Sequence, residues 1–278
     1  MPLSDTTDAK GIYALVGVPS GTSCTINVTK TGYEFSGRTV TVGTSEDKEA
    51  SCGNKWGINF TGTRPGGSTT GTVKVLWDLH HGILEGWEPE TGYSDLMAQL
   101  EEEGYHVSTT SSGIEAVNLY SYDVLVISVG TSWDSTYGVS EVELIRDFVE
   151  RGGGLLVLGD HPRCPNYIRP VAMDYGFITA IDESYEGDVY ITNFTDHPIF
   201  RGCSSLYFRV AGSIAYSPGA TLVAWDFRRY GVVGVGSPGQ GRVVVTGDCD
   251  FCRQYYIDER SNKRFAQNLF DWLSKKMP

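Results

Sequence analysis

The sequence predicts an α/β protein: a three-layer parallel-sheet domain preceded by a small all-β sandwich. Two observations predict the larger domain. Continuous apolar runs such as "VKVLWDL", "DVLVISVG" and "GLLVLGD" alternate with helical patterns from residue 73 onwards, and such runs are typical of parallel strands covered on both faces. The smaller domain is predicted because the earlier residues are rich in Thr, Ser and Gly and contain only short β-type runs.

These patterns divide the chain into three segments. A β-sandwich is expected over residues 1–63, a flexible linker over 64–72 ("RPGGSTTGT") and the α/β domain over 73–278. The predicted strands of the sandwich are "GIYALVGV", "CTINVTK", "RTVTVG" and "WGINFTGT", which are separated by turn residues.

In the α/β domain, each strand is expected to feed a helix. The first strand, 73–79, precedes a helix around "SDLMAQLEEEG", with Ser94 as N-cap and Gly104 at its end. The next strand, 123–130, precedes "SEVELIRDFVERGGG", where Ser140 and Glu143 form a predicted capping box. A strand over 154–160, a β-rich irregular stretch over about 178–237, a strand over 241–248 and a final helix "RFAQNLFDWLSK" follow.

Composition restricts the classes of partner. The chain has 278 residues and a formal net charge of -12, with a pI near 4.8, which argues against non-specific binding to nucleic acid or anionic membranes. No apolar run approaches the roughly 18 residues of a membrane span, and the first residues lack a signal-peptide pattern.

Six cysteines and three Asn-x-Thr triplets, at Asn27, Asn59 and Asn193, favour an exported protein. We therefore expect an extracellular or cell-surface location, with the targeting segment outside this sequence. Cys24 and Cys52 both lie in the first domain, and one disulfide between them is the simplest expectation.

Three predicted strands end in aspartate, at Asp78, Asp160 and Asp248. Ligands of open α/β sheets bind outside the carboxyl ends of the strands, so these carboxylates are expected at one rim. Other polar residues follow the same strands: His80, His81, His161, Cys164, Cys249, Asp250 and Cys252. The alternative is that each aspartate only caps the turn or helix that follows it.

Four kinds of site fit these residues. A divalent metal is one, with His161, Cys164, Cys249 and Cys252 as its candidate ligands, and no other cofactor is predicted. Acid–base catalysis by Asp160 with His161 or His81 is the second. Nucleophilic catalysis through Cys164 is the third, although that residue is poorly placed for a strained elbow.

The fourth kind is a binding rim without catalysis. Here Trp87 and Trp133 offer ring faces to a sugar, while Asp78, His80, Asp248 and Asp250 contribute polar contacts. His106 and His197 are expected to be structural, because the first begins a second strand away from the rim and the second precedes Pro198 in a turn.

The first domain resembles the carboxypeptidase regulatory-like domains. The resemblance is carried by "TDAKGIY" (7–13), "GVPSGT" (17–22) and "KTGYEF" (30–35), while the opening strands of that family are missing. It implies an incomplete spacer or adhesion module on an exported protein, rather than a catalyst.

The second domain resembles the class I glutamine-amidotransferase-like superfamily. The matching motifs are Asp78 with "HG" (81–82), "YDVLVI" (122–127), "GGGLLVLGD" (152–160), "DHPI" (196–199) and "GQGRVVVTGDCDF" (239–251). Within that superfamily, the domain is similar to a branch found on exported, gliding-motility and transporter-associated proteins. The resemblance implies a flavodoxin-like fold.

The chain departs from the amidotransferase pattern at the residues that carry catalysis. The family has a cysteine between glycines after the strand that here ends in Gly159-Asp160, and a His-x-Glu later; this sequence has neither. Glutamine hydrolysis is therefore not expected. In the branch resembled, Ser usually occupies the position of Cys249, and a disulfide between Cys249 and Cys252 is a candidate local addition.

We accordingly expect an exported two-domain protein that binds a small polar or carbohydrate-like ligand at the rim. The alternative is a hydrolase or isomerase that uses Asp78, His81, Asp160, His161 and Asp248, with or without a divalent metal. A third hypothesis is a protein-interaction module, which would show an exposed apolar patch.

Overall fold

The computed structural model describes residues 3–7, 12–29, 35–43, 58, 60, 72–82, 86–129, 136–162, 168–183 and 187–278. The chain forms two compact units, residues 1–65 and 66–278. The predicted linker, 64–72, spans this boundary, and all of it except Thr72 lies outside the described residues.

The first unit contains an antiparallel pair, β1 (Ser23–Ile26) and β2 (Arg38–Thr41). Hydroxyl pairs join the two strands, with Ser23 Oγ 2.6 Å from Thr41 Oγ1. The predicted strand "GIYALVGV" is wrong over its described residues, which have no regular secondary structure. Ile12 and Val16 are exposed there, and a strand needs a packed apolar face to be stable. The described residues thus do not confirm a β-sandwich.

The second unit has a parallel core with flavodoxin-type strand order. Its strands in chain order are β3 (Val73–Asp78), β4 (Tyr105–Thr110), β5 (Val124–Ser128), β6 (Gly154–Leu158) and, much later, β14 (Arg242–Thr246). They lie side by side as β4-β3-β5-β6-β14, and each neighbouring pair is parallel. Numbered within this core, the order is 2-1-3-4-5, so the topology reverses between β3 and β5.

The helices cover both faces of this sheet. They are α1 (Pro89–Gly92), α2 (Ser94–Glu102), α3 (Val139–Glu150), α4 (Arg169–Asp174) and α5 (Asn262–Leu273). Helix α2 contacts α5, and α3 contacts α4. The β3–α2–β4 and β5–α3–β6 connections run in opposite directions along the sheet, so right-handed crossovers place the two helix pairs on opposite faces. The predicted three-layer arrangement agrees with this.

The sheet is only partly parallel, which corrects the prediction of a parallel sheet. Beyond β14 it continues through antiparallel neighbours: β13 (Gly231–Gly236), then β11 (Gly212–Tyr216) and β7 (Phe177–Glu183), with β12 (Thr221–Trp225) and β9 (Asn193–Phe194) attached to β13. A separate antiparallel pair, β8 (Asp188–Ile191) and β10 (Leu206–Arg209), completes the β-rich stretch. Short connections such as residues 226–230, between β12 and β13, and 237–241, between β13 and β14, permit antiparallel pairing and are too short for a helical crossover.

The predicted helix starts need small corrections. Ser94 is the first residue of α2, and Tyr93 is its N-cap. Helix α3 begins one residue before Ser140, and Glu141, rather than Glu143, accepts a hydrogen bond from the backbone N–H of Gly138 at 2.9 Å. Gly104 follows α2 with a φ of 80°, as expected for a residue that ends a helix.

Two glycines bring the carboxyl ends of β6 and β14 close to their neighbours. A Cβ at Gly159 would lie 2.4 Å from Thr246 O, and one at Gly247 would lie 2.1 Å from Gly212 O. Any side chain there would push apart the strand ends that carry Asp160 and Asp248.

No described helix is both long and apolar enough to cross a membrane.

Candidate functional site

A buried chain of hydrogen bonds lies directly after β3. His81 Nδ1 lies 2.9 Å from Asp78 Oδ2, and His81 Nε2 lies 3.2 Å from Glu141 Oε2. The Tyr137 hydroxyl donates to the same Asp78 oxygen at 2.6 Å. The imidazole of His81 is thus held between two carboxylates that come from different elements, one at the end of β3 and one in the first turn of α3.

Local geometry fixes the imidazole ring. The Tyr137 ring stacks on His81 with centroids 3.8 Å apart and planes inclined by 26°. Asp78 Oδ1 accepts the backbone N–H of His80 at 2.9 Å, and Gly82, with a φ of 81°, turns the chain immediately after His81. Aspartate readily forms such a turn through its side chain, and glycine adopts positive φ without strain.

The electrostatics of this cluster favour a charged pair. Burial acts against the imidazolium, but the hydrogen bonds and charges of Asp78 and Glu141 outweigh it and raise the pKa of His81. Burial likewise opposes the Asp78 carboxylate, yet hydrogen bonds from His81, Tyr137 and the His80 backbone lower the pKa of Asp78. In the protonated form of His81, both ring nitrogens donate hydrogen bonds to these carboxylates.

The position of this cluster in the fold is where open α/β sheets bind ligands. It lies beyond the carboxyl ends of β3 and β5, the two strands between which the strand order reverses. The crevice at such a switch point is the usual ligand site of doubly wound folds. In sequence, predicted Trp133 falls between the end of β5 and Tyr137, although it lies outside the described residues.

A second group follows β6 and β14. The thiol of Cys249 lies 3.4 Å from Asp160 Oδ2, and Asp160 Oδ1 accepts the backbone N–H of His161 at 2.7 Å. The His161 ring is more distant, with Nε2 4.0 Å from Asp160 Oδ1. Burial is the main cause that raises the pKa of Asp160, and the charge of Asp250 adds to it, while contacts with His161 act in the opposite direction.

The turn after β14 contains two further carboxyl groups. Asp248 is fully buried and accepts backbone N–H groups from Asp250 at 3.0 Å and from Arg209 at 3.2 Å. Burial, with the nearby charges of Asp250 and Asp160, raises the pKa of Asp248. Asp250 is paired with Arg253 at 2.7 Å. The backbone donors make Asp248 a turn-forming residue, which is the structural alternative considered for it above.

The remaining predicted residues occupy different surroundings. Trp87 lies beneath the guanidinium of Arg253, with the Cζ atom 4.1 Å from the ring centroid. His80 points to the chain after β4, where its Nδ1 lies 3.0 Å from Ser111 O. His106 lies near the start of β4, level with Lys74 and hence at the other end of the sheet. His197 accepts the backbone N–H of Ile199 in a turn, as a structural histidine would.

The predicted rim residues therefore share one edge of the sheet but form two groups. Asp78 and His81 belong to the first, and Asp160, His161 and Asp248 to the second. Strand β5 separates β3 from β6, which places the two strand ends roughly 10 Å apart. The sequence analysis missed Tyr137 and Glu141, whose only sequence signal was their place at the start of a helix after a predicted strand.

The described residues also bear on the metal site and the disulfides that the sequence predicts. Within the described ranges, no three His, Cys, Asp or Glu side chains come together in a way that could hold a metal ion. Cys52 and Cys164 lie outside those ranges. Cys24, Cys203, Cys249 and Cys252 are free thiols, so the expected disulfide Cys249–Cys252 is wrong, while the expected pair Cys24–Cys52 involves a residue outside the described ranges. Cys252 instead points its thiol toward the Cys249 carbonyl, at 3.6 Å.

The fold and the site together define a flavodoxin-like α/β protein with a cluster of aspartates and histidines at the carboxyl edge of its parallel strands. No family model matches the chain, and no curated protein matches it. Solved structures do resemble it, at low sequence identity.

Three of these structures illustrate the likeness. The N-terminal domain of mmIFT52 is 16% identical with a TM-score of 0.61, and the match covers 72% of this chain and 97% of that one. The Cytoplasmic Protein STM3548 from Salmonella typhimurium is 19% identical with a TM-score of 0.53, covering 72% and 99%. A protein described as a GMP synthase component from Thermoplasma acidophilum is 14% identical with a TM-score of 0.50, covering 74% and 95%. At such identities the likeness shows the fold alone.

Proposed function

We propose that the α/β unit binds a small polar or carbohydrate-like ligand at the carboxyl edge of its parallel strands, beyond the ends of β3 and β5. The observation that carries this proposal is the buried Asp78–His81–Glu141 chain at the topological switch point. Perturbed titratable groups in such a place are typical of binding and catalytic sites.

Stability alone is a weak explanation for this cluster. Burying a histidine and its carboxylate partners costs desolvation free energy, and an apolar replacement often serves stability equally well. The cluster also provides what a polar ligand needs. The partly exposed carboxylate of Glu141 can accept hydrogen bonds from hydroxyl or amino groups, while Asp78 and Tyr137 hold the His81 ring in place behind it.

A hydrolase or isomerase is the second candidate, with or without a divalent metal. The observation in its favour is that Asp78 orients the His81 ring, which is the arrangement of an acid–base histidine and its supporting carboxylate. Glutamine hydrolysis is excluded from this proposal because the sequence lacks the elbow cysteine and the His-x-Glu motif.

Export to the cell surface remains part of the proposal. It is supported by the family resemblances of both units and by the Asn-x-Thr triplets. The four described cysteines are free thiols, so the proposal of export does not rest on a disulfide.

The binding proposal is tested by titrating the full chain, in a calorimeter and by thermal shift, with simple sugars, polyols, amino acids and nucleosides. His81→Gln and Glu141→Gln should abolish the response that the wild type gives. His106→Gln is the matched control, because that exposed histidine lies at the opposite end of the sheet. If no compound class binds the wild type, or if all three variants bind equally well, the proposal is wrong. Turnover of a bound compound would establish the enzymatic alternative.

A further inference from the structure

Aromatic rings and arginines form a continuous surface that lies largely outside the proposed site. It begins at the carboxyl edge of the sheet, in the turn after β14, and continues onto the β8–β10 pair. We call it the arginine–aromatic row; its members are Trp87, Arg253, Tyr255, Tyr256, Arg209, Tyr207, Tyr190 and Arg260.

The first part of the row centres on Arg253. Its Cζ atom lies 4.1 Å from the Trp87 ring centroid and 5.8 Å from that of Tyr255. Its guanidinium is also paired with Asp250, which anchors it to the sheet edge. Tyr255 itself is 69% exposed. A large aromatic ring that is fixed at its base and open on its face can stack against a ligand at little entropic cost.

The second part of the row is formed by tyrosines. The Tyr256 and Tyr207 centroids are 5.5 Å apart, and those of Tyr207 and Tyr190 are 5.8 Å apart. Arginines lie against the rings, with Arg209 Cζ 5.3 Å from the Tyr256 centroid and Arg260 Cζ 4.7 Å from that of Tyr190. Tyr190 is 47% exposed. Tyr207 is buried, so Tyr190 and the half-buried Tyr256 are the rings that a ligand can reach in this part of the row.

The polar atoms along the row favour hydroxyl groups over anions. Among the described residues, the buried atoms Arg253 Nε and Gln254 Oε1 have no hydrogen-bond partner. One is a donor and the other an acceptor, and a hydroxyl group can satisfy both kinds.

The charges along the row also favour a neutral ligand over a polyanion. Arg253 is paired with Asp250, and Arg209 lies opposite Asp188 in the strand register. The chain as a whole carries a formal charge of -12. A polyanion such as nucleic acid would therefore meet carboxylates along the row and a repulsive overall field.

We infer that the arginine–aromatic row binds a neutral carbohydrate chain, with sugar rings stacked on the exposed tyrosines and hydroxyls hydrogen-bonded to the arginines. The inference rests on the proposed function in one respect, namely that the ligand of the carboxyl edge is carbohydrate-like. Trp87 and Arg253 lie at the end of the row that reaches this edge, so a bound chain would extend from the edge across β10 and β8.

The test uses affinity electrophoresis of the full chain in gels that contain β-glucan, xylan or galactomannan. Fluorescence titrations with the corresponding neutral oligosaccharides, run on wild type and on Trp87→Phe, separate the signal of Trp87 from that of the other five tryptophans. Tyr255→Ala and Tyr190→Ala should each weaken binding about two- to tenfold, which is the effect of losing one stacked ring. Tyr216→Ala is the matched control, because this exposed tyrosine lies on β11 outside the row.

The outcomes separate this inference from the proposed function. Retardation by a polysaccharide that is reduced in the two row variants, and kept in Tyr216→Ala and His81→Gln, supports the row as the binding surface. Absence of retardation by all three polysaccharides overturns the inference, while small-ligand binding that depends on His81 can still stand. Equal binding of wild type and row variants, or tighter binding to oligothymidylate than to any polysaccharide, also overturns it.

Discussion

His81 Nδ1 lies 2.9 Å from Asp78 Oδ2, and the opposite nitrogen of the same ring faces Glu141 at 3.2 Å. This relationship links the loop after β3 to the start of α3. It also makes the free energy of unfolding depend on pH, since the pKa of His81 is raised and that of Asp78 is lowered in the folded state.

The first prediction concerns His81→Gln. A raised histidine pKa stabilises the fold fully below its unfolded value of about 6.5, and this contribution disappears as the pH rises through the higher folded value. The variant should therefore be less stable than wild type by about 2 kcal/mol at pH 5.5, with a smaller difference at pH 9.5. Urea unfolding of variant and wild type at both pH values measures this difference in the free energy of unfolding. His106→Gln should leave stability unchanged, and a deficit that grows at alkaline pH would contradict the charge assignment.

The second prediction concerns Tyr137→Phe, which removes the hydrogen bond to Asp78 Oδ2 and keeps the ring that stacks on His81. With one donor fewer, the Asp78 carboxylate is less stabilised and its pKa should rise. The free energy of unfolding of the variant should be lower than that of wild type by about 1–2 kcal/mol at neutral pH. The difference should diminish as the pH falls below the pKa of Asp78, because protonation removes the charge that Tyr137 supports. Urea unfolding between neutral and acidic pH provides the measurement, and a pH-independent loss would argue against this role.

The third prediction concerns Asp160→Asn at the second group. Burial raises the pKa of Asp160, so the folded state holds a proton more tightly than the unfolded chain does. The stability gained from that proton is complete below about 3.8 and is lost as the pH rises through the folded pKa. The neutral amide, which can still accept from His161 N, should make the variant more stable than wild type at pH 7.5 by on the order of 1 kcal/mol.

This advantage should vanish at acidic pH, where wild-type Asp160 is protonated as well. Urea unfolding at pH 4 and pH 7.5 gives both values. A variant that is less stable than wild type at pH 7.5 would show that the carboxylate is required in its charged form, which would favour a catalytic or ligand-binding role for Asp160.

The fourth prediction concerns the thiols. Cys249 and Cys252 are buried, and burial raises the pKa of Cys203 to about 11. Iodoacetamide at pH 8 should therefore modify Cys24 first and Cys203 slowly, and should reach Cys249 and Cys252 only after unfolding, because the thiolate is the reactive form. Peptide mass spectrometry without reduction measures the order. Detection of a Cys24–Cys52 or Cys249–Cys252 disulfide would contradict the reduced state of these thiols.

Part of the candidate site was predictable because of the chain's local pattern. An apolar strand that ends in aspartate places that side chain at the carboxyl edge of a parallel sheet, which is how Asp78, Asp160 and Asp248 were found. The partners of His81 were not predictable in this way. Glu141 lies 60 residues from His81, and their contact depends on how α3 packs after β5.

The sequence by itself determined the parallel core and its edge, because continuous Val, Leu and Ile runs can only be buried between two layers of helices. Tertiary structure decided which polar groups meet. It separated the rim residues into two groups by inserting β5 between β3 and β6, and it extended the sheet with antiparallel strands. It also buried the thiols of Cys249 and Cys252 without joining them to each other. Contacts of this kind depend on strand order and crossover direction, which no local pattern of residues specifies.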